Sequence, residues 1–202
     1  SYPETDSRIS GEEHIMKQSH IMKSQAYHHL LMETPRIVDS LSTKRPQAVD
    51  DFMDWLKKSE KILEEYNCPQ VAELASIRSQ LLAGGYRGAT RKEQQLAACE
   101  LLPQAQRVLQ LMHDDAVKPI EEARKIVAPL LEAVAQSGAV TFDKKVGFQS
   151  FVEQVHHLLS QHDQLKVNMV PVNATLSHSD RHWLIADMIE LDNWPCITAS
   201  TE

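Results

Sequence analysis

Between Pro46 and Tyr66 the apolar side chains return every third or fourth residue, a period that dictates a helix with one broad hidden side. Val49, Phe52, Met53, Leu56 and Leu63 form one stripe. Trp55, Ile62 and Tyr66 lie beside it, and Asp50, Asp51, Asp54, Lys57, Lys58, Lys61 and Glu64 occupy the opposite side. A stripe of that width needs two neighbours to cover it, which is the geometry of a helix bundle.

The same period recurs along the chain. Ile15, Met22, Ala26 and Leu30 begin one seam, with Ile15 and Met22 expected to pack inward. Val71, Leu74, Ala75, Ile77, Leu81 and Leu82 make another, which should stop at Gly84-Gly85. Thr90-Arg-Lys-Glu93 is a capping-box pattern that opens a long periodic stretch reaching Ala135, ended by Gly138. Phe148, Phe151, Val152, Val155, Leu159 and His162 form a strongly amphipathic segment. Ser177-His-Ser-Asp180 is a second box, placed before Leu184, Ile185, Met188 and Leu191.

Prolines set the expected interruptions. Thr34 is suited to cap a new helix with Pro35 at its first position. Pro103, Pro119 and Pro129 should break or kink the long stretch, because an interior proline removes a hydrogen bond and crowds the preceding turn. Val167 to Thr175 is the one segment that reads as extended, and Trp194-Pro195 closes the last helix. The expected fold is an all-α antiparallel bundle of about six or seven helices. Its core should include Trp55, Phe52, Leu63, Phe148, Phe151, Leu159 and Leu184. A flexible start over residues 1–10, one domain over 11–197 with a connector at 84–90 that could divide sub-domains, and a disordered tail at 198–202 complete the expected organisation.

Composition narrows the functional classes. Only 5% of the residues are aromatic, so the apolar material is mostly the aliphatic kind that packs helix on helix. The net charge of -7 is spread along the chain, which disfavours a polyanionic nucleic-acid partner. No apolar run approaches the roughly 20 residues of a membrane span. Cys68, Cys99 and Cys196 are odd in number and far apart, suggesting neither a disulfide framework nor a zinc knuckle, and a cytoplasmic location is the simplest expectation. No nucleotide-binding glycine turn, Gly-x-Ser-x-Gly elbow or cysteine with a partner base is present.

Four histidine patterns remain. His14-Ile-Met-Lys is followed by His20-Ile-Met-Lys, and His20, Lys23 and Ser24 resemble the His-x-x-Lys-Gly core of histidine phosphotransfer domains over about five residues, with Met22 and Ser24 replacing the usual Leu and Gly. That resemblance implies a phosphorelay role for His20 and Lys23. Glu153-Gln-Val-His156 has the Glu-x-x-His spacing used in di-iron bundles; with His29 and Glu33 it would offer four ligands to iron, manganese or zinc if the two helices adjoin. His178 and His182, four apart, form a further pair. His156, His157 and His162, with His28 and His29, suggest a pH-sensitive core, in which His162 falls on the apolar stripe and is the expected buried imidazole.

The favoured function is non-enzymatic: an interaction or regulatory protein that presents an apolar helix face or groove to another protein or to its own copy. Trp55, Ile62 and Tyr66 are the expected anchors, because aromatic side chains dominate interface energies.

Overall fold

The computed structural model describes residues 18–197. The first copy of the His-Ile-Met-Lys repeat, Ile15, the start at 1–10 and the tail at 198–202 lie outside these described residues. Among the described residues seven α-helices follow in order: α1 (His20–Ser42), α2 (Ala48–Glu65), α3 (Val71–Tyr86), α4 (Arg91–Ser137), α5 (Phe148–Gln161), α6 (Asp163–Thr175) and α7 (His178–Met188). Among the described residues the only β pairing is an isolated bridge between Phe142 and Cys196. An all-α bundle is the fold.

α4 organises it. This helix is 47 residues long, about 70 Å at 1.5 Å per residue. One line of its buried positions, Ala98, Leu102, Ala105, Leu109, Met112, Ala116, Ile120, Ala123, Val127, Leu130 and Val134, steps along it by three and four, with Leu101, Val108 and Leu131 buried beside it. The steps alternate except for two consecutive fours at Met112, Ala116 and Ile120, each of which advances the buried face by about 40°. One core changes into another at that point. Tyr27, Leu30, Ile37, Phe52, Trp55, Leu56, Leu63 and Leu74 pack with α4 up to Ala116. Phe151, Val152, Val155, Leu159, Met169, Val172, Leu184 and Ile185 pack with α4 from Ile120 onward. The connector at 84–90 therefore joins two helices of the same core. α1 runs antiparallel along α4 and bridges both cores, since Ile21 belongs to the second and Leu41 to the first.

The prolines break no helix. α1 continues through Pro35, α4 through Pro103, Pro119 and Pro129, and α6 through Pro171. The physical reason is where each missing N–H would have pointed. In α4 the carbonyls four residues back belong to Cys99, Asp115 and Lys125, all exposed, so water replaces the lost bond. In α1 the bereft carbonyl is that of Leu31, and the buried Thr34 hydroxyl donates to it at 2.7 Å. Thr34 thus repairs the helix in mid-run instead of starting a new one. Thr34→Val, which keeps the shape and removes the hydroxyl, is expected to lower stability by about 1–2 kcal/mol in urea unfolding, with Thr34→Ser close to wild type. A valine variant as stable as the parent would refute this repair.

The segment Val167 to Thr175 is helical rather than extended. It carries two apolar sides at opposite points of the helix, so it lacks the single-sided period by which helices are recognised. Met22 is exposed where inward packing was expected, because capping by Ser19 sets the register of α1 so that Ile21 is the residue turned into the core. Of the expected core residues, Phe148 is only half-buried at the start of α5 and the others are buried.

Ser177 caps α7 by accepting from Asp180 N at 3.2 Å, but the Asp180 side chain does not return the bond. Its Oδ1 accepts from the Ser19 hydroxyl at 2.5 Å and its Oδ2 from His20 N at 2.8 Å. A carboxylate on α7, only 2% exposed, therefore serves as the N-terminal partner of α1. Asp180→Ala should destabilise the fold by about 2 kcal/mol in equilibrium denaturation, since two part-buried donors lose a charged acceptor. Unchanged stability would show that solvent replaces it.

Candidate functional site

α5 carries Glu153, His156, His157 and Ser160 at helical spacings of three, four and seven, and α7 carries His178, Arg181 and His182 at three and four. α6 lies between them in sequence, and its Asn173 joins the other two polar faces around an open cleft of about 590 Å³. The cleft is lined by Glu153, His156, His157, Ser160, Gln161, Asn173, His178 and Arg181. The rings of His156 and His178 stand 5.0 Å apart and tilted by 44°.

His156 is the buried member, 7% exposed, and its Nε2 has no hydrogen-bond partner. Burial drives its pKa down to about 4, helped by the positive charge of Arg181 and by His178, His182 and His157. It is therefore neutral at pH 7. Arg181 donates through Nη1 to the Leu176 carbonyl at 3.0 Å, while its Nε is buried without a partner. No acidic side chain forms an ion pair with Arg181 among the described residues. Its acidic neighbour in sequence, Asp180, is occupied at α1, and burial pulls the guanidinium pKa below its usual value.

His162 is not the buried imidazole. It is exposed, and it stands between α5 and α6, where its Nδ1 accepts from Gln164 N at 3.3 Å. The apolar period of α5 ends one turn earlier, at Leu159.

The proposed four-ligand set does not converge. Glu33 pairs with Lys58 of α2, His29 is exposed on α1, and Glu153 and His156 line the α5–α7 cleft. Among the described residues no group of three or more histidine, cysteine, aspartate or glutamate side chains is arranged to hold a metal ion. His20 begins α1, half-buried, with its pKa lowered by burial and by Lys23 against an opposing pull from Asp180. The Lys23 ammonium sits 5.9 Å from the centre of the Tyr66 ring.

Trp55 is 2% exposed, and its indole N–H donates to the Leu30 carbonyl at 2.9 Å. Ile62 and Tyr66 are half-buried against the same core, Tyr66 meeting Tyr27 edge-on at 6.0 Å. Burial also raises the Tyr27 and Tyr66 pKa values. None of the three cysteines is in a disulfide; Cys68 lies 3.0 Å from the Tyr27 hydroxyl, and Cys99 is exposed rather than packed.

Large exposed apolar side chains are scattered over the described chain, among them Met22, Met32, Leu96, Leu111 and Trp183, and α6 carries several in a row. On α6, Val167 is 67% and Val170 61% exposed, and Pro171 and Ala174 are exposed with them. These four positions follow the i, i+3, i+4, i+7 rule and form one stripe, diametrically opposite the stripe of Leu165, Met169, Val172 and Leu176 that enters the core. No described helix is long and apolar enough to cross a membrane. Comparison of the chain with protein-family models, curated proteins and solved structures finds no match.

Proposed function

We propose that the chain is a non-enzymatic interaction protein that docks a protein partner on the outer side of α6. The observation that carries this reading is the second apolar stripe of that helix, Val167, Val170, Pro171 and Ala174, which no other part of the described chain covers. A helix spends two valines on a solvent face at a cost, because each buried aliphatic side chain is worth about 1.5–3 kcal/mol relative to exposure. Anchors at i, i+3, i+4 and i+7 are the pattern by which a helix seats in an apolar groove, so the partner contributes the groove and α6 the ridge. Lys166 on one flank, Gln164, Asn168 and Thr175 on the other and Asp163 at the N-terminal end provide a polar rim, the usual surround of an interface centre.

Trp55 is enclosed in the first core and so lies beneath the surface a partner would touch. The α6 stripe replaces it as the docking element.

The test is paired affinity capture with wild-type chain and the double variant Val167→Glu, Val170→Glu as baits. Both substitutions are on solvent-facing positions, so the variant should keep the helical circular dichroism and melting temperature of the parent. A species retained by wild type and lost from the variant is the expected result. Identical retention on both baits would remove α6 as the docking surface. Sedimentation velocity on the free chain distinguishes a second copy, since a dimer that becomes monomeric in the variant would identify the partner as the chain itself.

A further inference from the structure

The α5–α7 cleft gathers one permanent cation, three imidazoles and several neutral polar groups, with a single exposed carboxylate, Glu153, in its wall. Arg181 is the unusual member. A partly buried guanidinium normally has a carboxylate beside it, because an uncompensated charge taken out of water costs several kcal/mol. Here Asp180, one residue away, is turned to the start of α1 instead, and Arg181 keeps one protein hydrogen bond, to a carbonyl. Among the described residues no ion pair neutralises this charge, Glu153 in the same wall included. His178 and His157, both exposed in the same wall, add donors that approach from α7 and α5.

A planar carboxylate would satisfy the guanidinium fork alone. A tetrahedral group with three acceptor oxygens matches donors that converge from two helices, and arginine with histidine is a natural pairing for such a dianion. The cleft is far larger than one phosphate and lies in the size range of small-molecule sites. Its remaining wall is hydroxyl and amide in character, Ser160, Gln161 and Asn173, suited to the hydroxyl groups of a sugar or polyol rather than to an apolar body.

We infer that this cleft binds a phosphorylated sugar or polyol, with the phosphoryl group on Arg181 and the imidazoles of His178 and His157, and the hydroxylated portion on Ser160, Gln161 and Asn173. A cation is disfavoured at the same place, because Arg181 repels it and the described residues offer no three-ligand set.

Isothermal titration calorimetry on the whole chain with inorganic phosphate and with glycerol 3-phosphate, at matched ionic strength, tests the inference. Saturable one-to-one binding is expected for both, tighter for the glycerol ester because of its hydroxyl contacts. Arg181→Gln should weaken each by tenfold or more, and Arg181→Lys should recover part of the loss. His178→Gln, an exposed change that leaves the cores intact, should weaken binding several-fold and serves if the arginine variant does not fold. Absence of saturable binding, or affinity unaltered in the Arg181 and His178 variants, overturns the site. Stoichiometric zinc uptake lost on His178→Gln would overturn it in favour of a cation site. Equal affinity for phosphate and glycerol 3-phosphate would overturn the sugar or polyol assignment.

Discussion

Trp55→Ala is expected to lower the stability of the chain by about 3–5 kcal/mol, the largest effect of any single change considered. The indole is enclosed, stacked on Phe52 at 6.0 Å, and bonded to Leu30 on the neighbouring helix. Truncation removes its transfer energy, leaves a cavity and takes away the N–H donor that ties α2 to α1. In a chain of this length that corresponds to a fall in melting temperature of roughly 10 °C or more. Trp55→Phe, which keeps most of the volume but not the donor, should cost about 1–2 kcal/mol. Calorimetric melting of both variants is the check. A Trp55→Ala chain that melts like wild type but loses a protein partner would instead make Trp55 an interface anchor and defeat its assignment to the core.

Acidification should unfold the second core first, and His156 is the reason. Its folded pKa of about 4 lies below the ordinary value of 6.5, so the fold favours the neutral ring and the unfolded chain takes up the proton more readily. Stability from this residue is present above about pH 6.5 and is lost as the pH falls toward 4, by about 3 kcal/mol across that window. The groups that oppose its charging are Arg181, His178 and His182 on α7 and His157 on its own helix; Glu153 is the carboxylate in the same wall, and α6 contributes the uncharged Asn173. Urea unfolding of wild type and His156→Leu at pH 7.5, 5.5 and 4.5 separates this effect from general acid sensitivity. The leucine variant should lose markedly less stability over the range. Parallel losses in the two proteins would mean that the imidazole is not held neutral.

Helical periodicity was legible in the sequence wherever a segment had one apolar side. α2 and α5 could be drawn from Phe52, Leu56 and Leu63, or from Phe151, Val155 and Leu159, with little error. The prolines could not be read in the same way, because their effect depends on whether the carbonyl four residues back reaches water, and that is a property of the assembled bundle. Thr34 illustrates the limit: a residue suited to cap a helix instead donates to Leu31 within one. The sequence of α6 reads as extended because its valines lie on two opposed sides of the helix and cancel the one-sided signal. The cleft is present in the sequence in fragments, as Glu153 with His156 and as His178. Their convergence required the turn at His162 and the return of the chain through α6, which no local spacing encodes. The Arg181 charge, central to that cleft, is hidden in the sequence because Asp180 stands beside it as a ready counter-charge, and only the fold turns that carboxylate to the start of α1.

One continuous rod forming a wall of both cores makes the spacing of residues along α4 act as a ruler. Each residue added to or removed from a helix turns everything beyond it by about 100° and shifts it by about 1.5 Å. A single insertion between Met112 and Ile120 would swing α5, α6 and α7 around the axis, pull Asp180 away from Ser19 and strip Ile21 from its pocket. Added residues are therefore expected to be tolerated at places such as the exposed turn at 144–146, where an insertion loops out and neither the phase nor the reach of the rod is altered.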